Sequence, residues 1–221
     1  MKPIVCYVTG REALGGEAST EKLLARIRVA ITAGVDWVQI RERDLTARSL
    51  LEFTKAAVAE AGSKTRVVVN DRLDVALAAG AAGVHLRGDS VPASVAVRWL
   101  SETGAPADFL VGVSCHSRED AIKAEAAGAN YVFFGPVFDT PAKRKFGPPQ
   151  GIAKLADVCR SVQIPVIAIG GIDESNATEC LHEGAAGIAA IRMFQDKTEV
   201  ALRAFVEQLH VENKTNEQIR R

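Results

Sequence analysis

Ala33-Gly34-Val35-Asp36-Trp37-Val38, Ala79-Gly80-Ala81-Ala82-Gly83-Val84, Ala127-Gly128-Ala129-Asn130-Tyr131-Val132 and Glu183-Gly184-Ala185-Ala186-Gly187-Ile188 are four versions of one phrase. Each sets a glycine and a small or acidic residue ahead of an apolar burst. The glycine follows an amphipathic pattern, as a helix C-cap does, and the burst is short enough for a buried parallel strand. The glycines stand 46, 48 and 56 residues apart, about two βα units per interval. Four more strand candidates fall between the bursts, at 4–8, 66–69, 109–113 and 166–169. Strands that alternate with helical segments must run parallel, because each βαβ crossover returns the chain to the same end. Eight such units in 221 residues predict an α/β protein, a (β/α)8 TIM barrel formed as a single domain over 1–210. A polar tail, expected to fray, covers 211–221. A doubly wound open sheet is the alternative, but the even two-unit repeat favours closure.

Composition narrows the function classes. Lys and Arg number 27, as do Asp and Glu, so the net charge is zero and nucleic-acid binding is not expected. No apolar run approaches the ~18 residues that a membrane span needs, and the N-terminus reads as a first strand rather than a leader. Cys6, Cys115, Cys159 and Cys180 show no CxxC spacing. They read as small, reduced core residues of a cytoplasmic protein.

A barrel of this kind carries its active site at the carboxyl ends of its strands. The segment Phe133-Phe134-Gly135-Pro136-Val137-Phe138-Asp139-Thr140-Pro141-Ala142-Lys143-Arg144-Lys145-Phe146-Gly147-Pro148-Pro149-Gln150-Gly151 follows the sixth strand. Long loops in compact domains are usually functional, and Thr140 with the basic run suits an anion. On the second strand, alternation puts Gln39, Arg41 and Arg43 on one face. Arginine forks suit phosphate, although an Arg-Glu-Arg lattice through Glu42 is the structural alternative. Asn70 and Asp71 end the third strand, where they serve either a ligand or the cap of the next helix. Asp71 with Asp89, after the fourth strand, suits Mg²⁺ shared with a substrate diphosphate, unless Asp89 is itself a cap. Ser114 and His116 end the fifth strand. His116 is a lone acid/base candidate, since its neighbour Cys115 points the other way; His85 reads as barrel interior. Gly170-Gly171 allows close approach to phosphate, and Ile191-Arg192 brings another cation to that side. Arg41, Arg43, Lys143, Lys145 and Arg192 thus converge on one rim, which implies a small phosphorylated substrate.

These landmarks resemble the thiamin phosphate synthase/TenI superfamily nearly throughout, to about Leu209. The motifs are Gln39 to Arg43, Val69 to Asp74, Gly83 to Leu86, Gly112 to Ser114, Phe134 to Phe138 with Thr140 and Lys143, and Ala168 to Ile172. The resemblance implies a transferase of thiamin biosynthesis. It would join hydroxymethylpyrimidine diphosphate to a thiazole phosphate, giving thiamin phosphate and diphosphate. Asn70 would hold the pyrimidine and Asp71 would bind Mg²⁺. Gln39, Arg41, Arg43 and Lys143 would surround the leaving diphosphate. Ser114 would approach the pyrimidine or the leaving group, and Thr140, Gly171 and the Ile191–Arg192 backbone would hold the thiazole phosphate.

The chain departs from the synthase pattern at four positions. Arg43 stands for Lys, Ser90 falls where the second metal-binding Asp is expected with Asp89 one residue early, Ala142 replaces a second Thr, and Arg192 replaces a small residue. The first three, together with His116, are also similar to TenI-type thiazole tautomerases, which isomerise by proton transfer. Asn70-Asp71, Gly135-Pro136 and the basic loop are kept as in a synthase. A non-catalytic barrel that binds thiazole or thiamin phosphates is the third reading, and a homo-oligomer is left open.

Overall fold

The four glycines of the repeated phrase all end helices. Gly34, Gly80, Gly128 and Gly184 have φ of 95°, 68°, 86° and 99°, a region that other residues rarely adopt. Their N–H groups donate to the carbonyls of Ile31, Leu77, Glu125 and Leu181, closing the preceding helix. The computed structural model describes residues 2–15, 19–140 and 147–219, with side chains followed to 211. The strands are β1 (Ile4–Val8), β2 (Trp37–Ile40), β3 (Arg66–Asn70), β4 (Gly83–Leu86), β5 (Leu110–Cys115), β6 (Tyr131–Phe134), β7 (Val166–Ile169) and β8 (Gly187–Ala190). The bursts of the repeat are therefore the even-numbered strands.

All eight pair in parallel. β1 pairs with β2 and also with β8, where Ile4 faces Gly187 and Tyr7 faces Ala190. The barrel is closed, which excludes the open sheet. The helices alternate with the strands: α1 (Thr20–Thr32), α2 (Ala47–Ala61), α3 (Leu73–Ala78), α4 (Ala93–Glu102), α5 (Arg118–Ala126), α6 (Ile152–Ser161), α7 (Ala177–His182), α8 (Arg192–Asp196) and α9 (Glu199–Ile219). Side chains of Ser19, Thr46 and Ser117 cap α1, α2 and α5 by accepting backbone N–H groups. Helix α9 runs on to Ile219, so the stretch read as a fraying polar tail continues a helix.

Period-two alternation divides the strand side chains between two apolar layers. One lies between barrel and helices, where Val5, Val38 and Val69 meet residues such as Leu23, Phe53 and Leu155. The other fills the barrel with Cys6, Val8, Trp37, Tyr131, Phe133, Ile167 and Ala189. Tyr131 meets Trp37 edge-on at 4.7 Å between ring centres. It fits because β5 offers Gly112 opposite, where a Cβ would stand 2.1 Å from the ring.

Asp36, in the first copy of the repeat, ties α9 to the barrel. Its carboxylate accepts hydrogen bonds from the Val5 N–H at 2.9 Å, Lys2 at 2.6 Å and His210 at 3.1 Å. Burial by itself would raise the Asp36 carboxyl. The bonds from His210, Lys2 and Val5 outweigh it and hold the group below the usual carboxylate range.

Two outcomes are expected in urea unfolding. Gly112→Ala should cost about 1–3 kcal/mol, since the ring it strikes is held on all sides. Asp36→Asn should cost about 1–3 kcal/mol at pH 7. A carboxyl held low stabilises the fold above its unfolded pKa and loses that contribution as pH falls through the folded value. The deficit of Asp36→Asn should therefore shrink towards zero on acidification.

Candidate active site

Gln39 follows Trp37 on the inner face of β2, and Asn70 follows Val68 on that of β3. Both are buried at the carboxyl-end mouth. The Gln39 amide donates to Asn70 Oδ1 at 3.2 Å, and Asn70 donates to Asp71 Oδ2 at 3.0 Å. Asp71 has φ of 61°, left-handed and uncommon for a residue with a side chain. Its carboxylate does not cap α3, whose N-cap is Arg72 without a side-chain bond. It reaches instead to the loop after β4. There Oδ1 accepts the Ser90 hydroxyl and the Arg87 N–H, the latter at 3.1 Å, while Oδ2 lies 2.5 Å from Arg87 Nε.

The expected pairing of Asp71 with Asp89 needs correction. Ser90 is the residue that meets Asp71. Asp89 is turned outward, 76% exposed, with Oδ1 3.2 Å from the same Arg87 Nε. The arginine stands between the two carboxylates.

The Arg-Glu-Arg lattice does not form either. Glu42 is buried, accepts the Thr9 hydroxyl at 2.7 Å and takes the Arg11 N–H and Nε at 3.3 and 3.1 Å. The Arg41 N–H donates back to Thr9 Oγ1 at 2.9 Å. Thr9 and Arg11 went unnoticed in the sequence, although a threonine closing β1 and an acid between two arginines were the available signals. With Glu42 engaged below, the Arg41 guanidinium has no ion-pair partner among the described residues. Burial, then repulsion from Arg43, then the opposing pull of Glu42 and Glu12, and last Arg87 set its pKa; the net direction is down. A half-buried cation in this position favours an anion beside it. Arg43 lies exposed at the rim.

On the adjacent strand β4, in register with Asn70, His85 is sealed inside the barrel. Its Nε2 lies 2.9 Å from Ser114 Oγ and its Nδ1 3.2 Å from the Tyr131 hydroxyl. Burial pushes the His85 pKa down to about 3, so the ring is neutral, with one nitrogen donating and the other accepting. Ser114 is thereby oriented at the mouth. Exposed His116 makes its Nδ1 bond to the Gly135 carbonyl, which leaves Nε2 as the acceptor. Cys115 is buried, and burial first, with Asp120 adding, pushes its thiol up to about 12, far from a nucleophile's range.

The segment after β6 lies along the end of β7, with Val137 and Phe138 N–H donating to the Ile169 and Gly170 carbonyls, each at 2.9 Å. Gly171 has φ of 69°, and a Cβ there would stand 2.8 Å from the Phe138 carbonyl carbon. This crossing accounts for the glycine. Arg192 Nη2 donates to Thr140 Oγ1 at 2.9 Å beside Ile191, the N-cap of α8. Two residues expected around the same thiazole phosphate thus meet. Lys143 and Lys145, with Ala142, lie outside the described residues.

The sequence model described as thiamine monophosphate synthase matches residues 5–194. The chain belongs to the thiamine monophosphate synthase family. A relative from Geobacter sulfurreducens, provisionally named thiamine-phosphate synthase, is 46% identical over 83% of each chain. The thiamine-phosphate synthase of Roseiflexus sp. is 38% identical over 85% of this chain and 76% of its own. Among solved structures, thiamine phosphate pyrophosphorylase from Pyrococcus furiosus superposes with a TM-score of 0.77 at 31% identity, covering 94% of this chain and 97% of that one.

The family resemblance implies Mg²⁺, and the residues around Asp71 do not fit a protein-held ion. Three hydrogen-bond donors and the ion-pair contact of the Arg87 guanidinium already surround its two oxygens. The second expected carboxylate is replaced by a hydroxyl. A hard cation takes oxygen ligands, and at Asp71 it would have to displace the arginine.

Arg41 in this thiamine monophosphate synthase family member gives a direct check. Arg41→Ala removes a desolvated, repelled cation, so unfolding stability should stay within about 0.5 kcal/mol or rise. The rise in melting temperature that inorganic pyrophosphate causes in the unaltered protein should shrink, as read by calorimetry.

Proposed function

We propose that the protein is a thiamine-phosphate synthase, a transferase that joins 4-amino-2-methyl-5-(diphosphooxymethyl)pyrimidine to a thiazole phosphate. The observation that carries this reading is the row Gln39–Asn70–Asp71 at the barrel mouth beside Arg41, which has no ion-pair partner among the described residues. It offers amide groups for a heteroaromatic ring next to cations for a diphosphate, in a chain whose reported relatives bear the synthase name.

Asn70 would hold the pyrimidine in register, with its amide already aligned by Gln39. The diphosphate would lie against Arg41 and Arg43, with Lys143 closing from the loop. Its bond to the pyrimidine methylene breaks, the electron pair leaves with the diphosphate oxygen, and positive charge develops on the methylene. The thiazole nitrogen lone pair then forms the new carbon–nitrogen bond. No strong base is required, and stabilisation of the departing charge is the main demand. Ser114, oriented by neutral His85, would face the pyrimidine or the departing group. Thr140 with Arg192, the Gly171 backbone and the Ile191–Arg192 turn would hold the thiazole phosphate. The proposal includes a cytoplasmic setting, in keeping with four free cysteines and zero net charge. No described helix is long and apolar enough to cross a membrane.

Incubation with both substrates, following diphosphate release, tests the reading. Release with formation of thiamine phosphate is expected; thiazole isomerisation without release would overturn it in favour of the tautomerase. Lys143→Ala should lower turnover ~100-fold or more, the scale for loss of one stabiliser of developing charge, whereas His116→Ala should stay within about fivefold. The reverse ranking would assign His116 the proton transfer of an isomerase.

A further inference from the structure

The place beside Asp71 is filled by a side chain that belongs to the protein. Arg87, the first residue after β4, brings Nε to 2.5 Å from Asp71 Oδ2 and 3.2 Å from Asp89 Oδ1. Its own N–H donates to Asp71 Oδ1 at 3.1 Å, so backbone and side chain grip one carboxylate from both sides. Nε is shielded from solvent without a directed hydrogen bond, and the terminal nitrogens donate none among the described residues. The guanidinium is nonetheless only partly covered, its side chain being 34% exposed. Arg41 follows β2 and Arg87 follows β4, so both cations leave strands at the carboxyl-end rim.

We infer that Arg87 is the resident cation of this site, standing where a divalent ion would bridge Asp71 and a diphosphate, and that it takes the diphosphate directly through its terminal nitrogens. The inference rests on the synthase reading for the nature of its ligand. A guanidinium is charged at every working pH and presents paired N–H groups that match phosphate oxygens. Asp71 fixes its orientation while Asp89, in solvent, offsets little of its charge. Ser90 then has a structural part: a second carboxylate at that position would compete for the same arginine, whereas a hydroxyl donates to Asp71 and leaves the arginine free to face outward.

The test is calorimetric titration of the full chain with inorganic pyrophosphate, in EDTA and in Mg²⁺. The unaltered protein should bind in EDTA. Arg87→Gly should weaken that binding roughly 10- to 100-fold, the worth of one or two charge-assisted hydrogen bonds, and make what remains dependent on Mg²⁺. Arg87→Lys should fall between the two, and thermal melts verify that each variant is folded. Binding of the unaltered protein only in the presence of Mg²⁺ would overturn the inference, as would Arg87→Gly binding normally in EDTA. Failure of the synthase reading is distinguishable: turnover would be absent while Arg87-dependent pyrophosphate binding in EDTA persisted.

Discussion

Closure of β1 onto β8 is the constraint from which the remaining architecture follows. Once Ile4 pairs with Gly187, the sheet has no edge, and eight parallel strands deliver their carboxyl ends to a single rim. The enclosed space must then be filled by every second side chain. Trp37, Tyr131 and Phe133 occupy it, and Gly112 leaves the room that Tyr131 needs. This apolar plug closes the barrel, so a ligand can be held only above it, where the polar layer of Gln39, Asn70, His85 and Ser114 begins.

That layer is ordered by the low dielectric below it. A buried amide or imidazole without a partner is costly, so Gln39 bonds Asn70, and His85 bonds Ser114 and Tyr131. The same economy sorts the charges. Glu42 turns down to Arg11 and Thr9, and Asp71 turns across to Arg87 and Ser90. Glu42 and Asp71 are thereby engaged, and among the described residues Arg41, Arg43 and Arg192 make no ion pair. A protein with no net charge acquires a local positive field through this pairing.

A reaction whose barrier lies in the departure of a diphosphate is matched to such a field. The cations are set before substrate arrives, so little reorganisation accompanies the developing charge. Neutral His85 positions Ser114 rather than moving a proton. His116 is held at the rim by its Nδ1 contact with the Gly135 carbonyl.

Caps, repeat spacing and strand parity are local properties, and residues close in sequence settle them. The barrel, its eight strands and the interior place of His85 were therefore legible in the chain itself. The pairing of Glu42 with Arg11, 31 residues away, and of Asp71 with Arg87, 16 residues away, was not. An arginine reaches several ångströms along many rotamers, and which acid it meets depends on how neighbouring strand ends are staggered around the ring. For that reason Asp89 read as a metal ligand from its type and spacing, while the folded loop turns it to solvent and brings Ser90 inward. Sequence alone determined which strand ends form the rim; only the tertiary structure decided which of the charges described there cancel and which remain for a ligand.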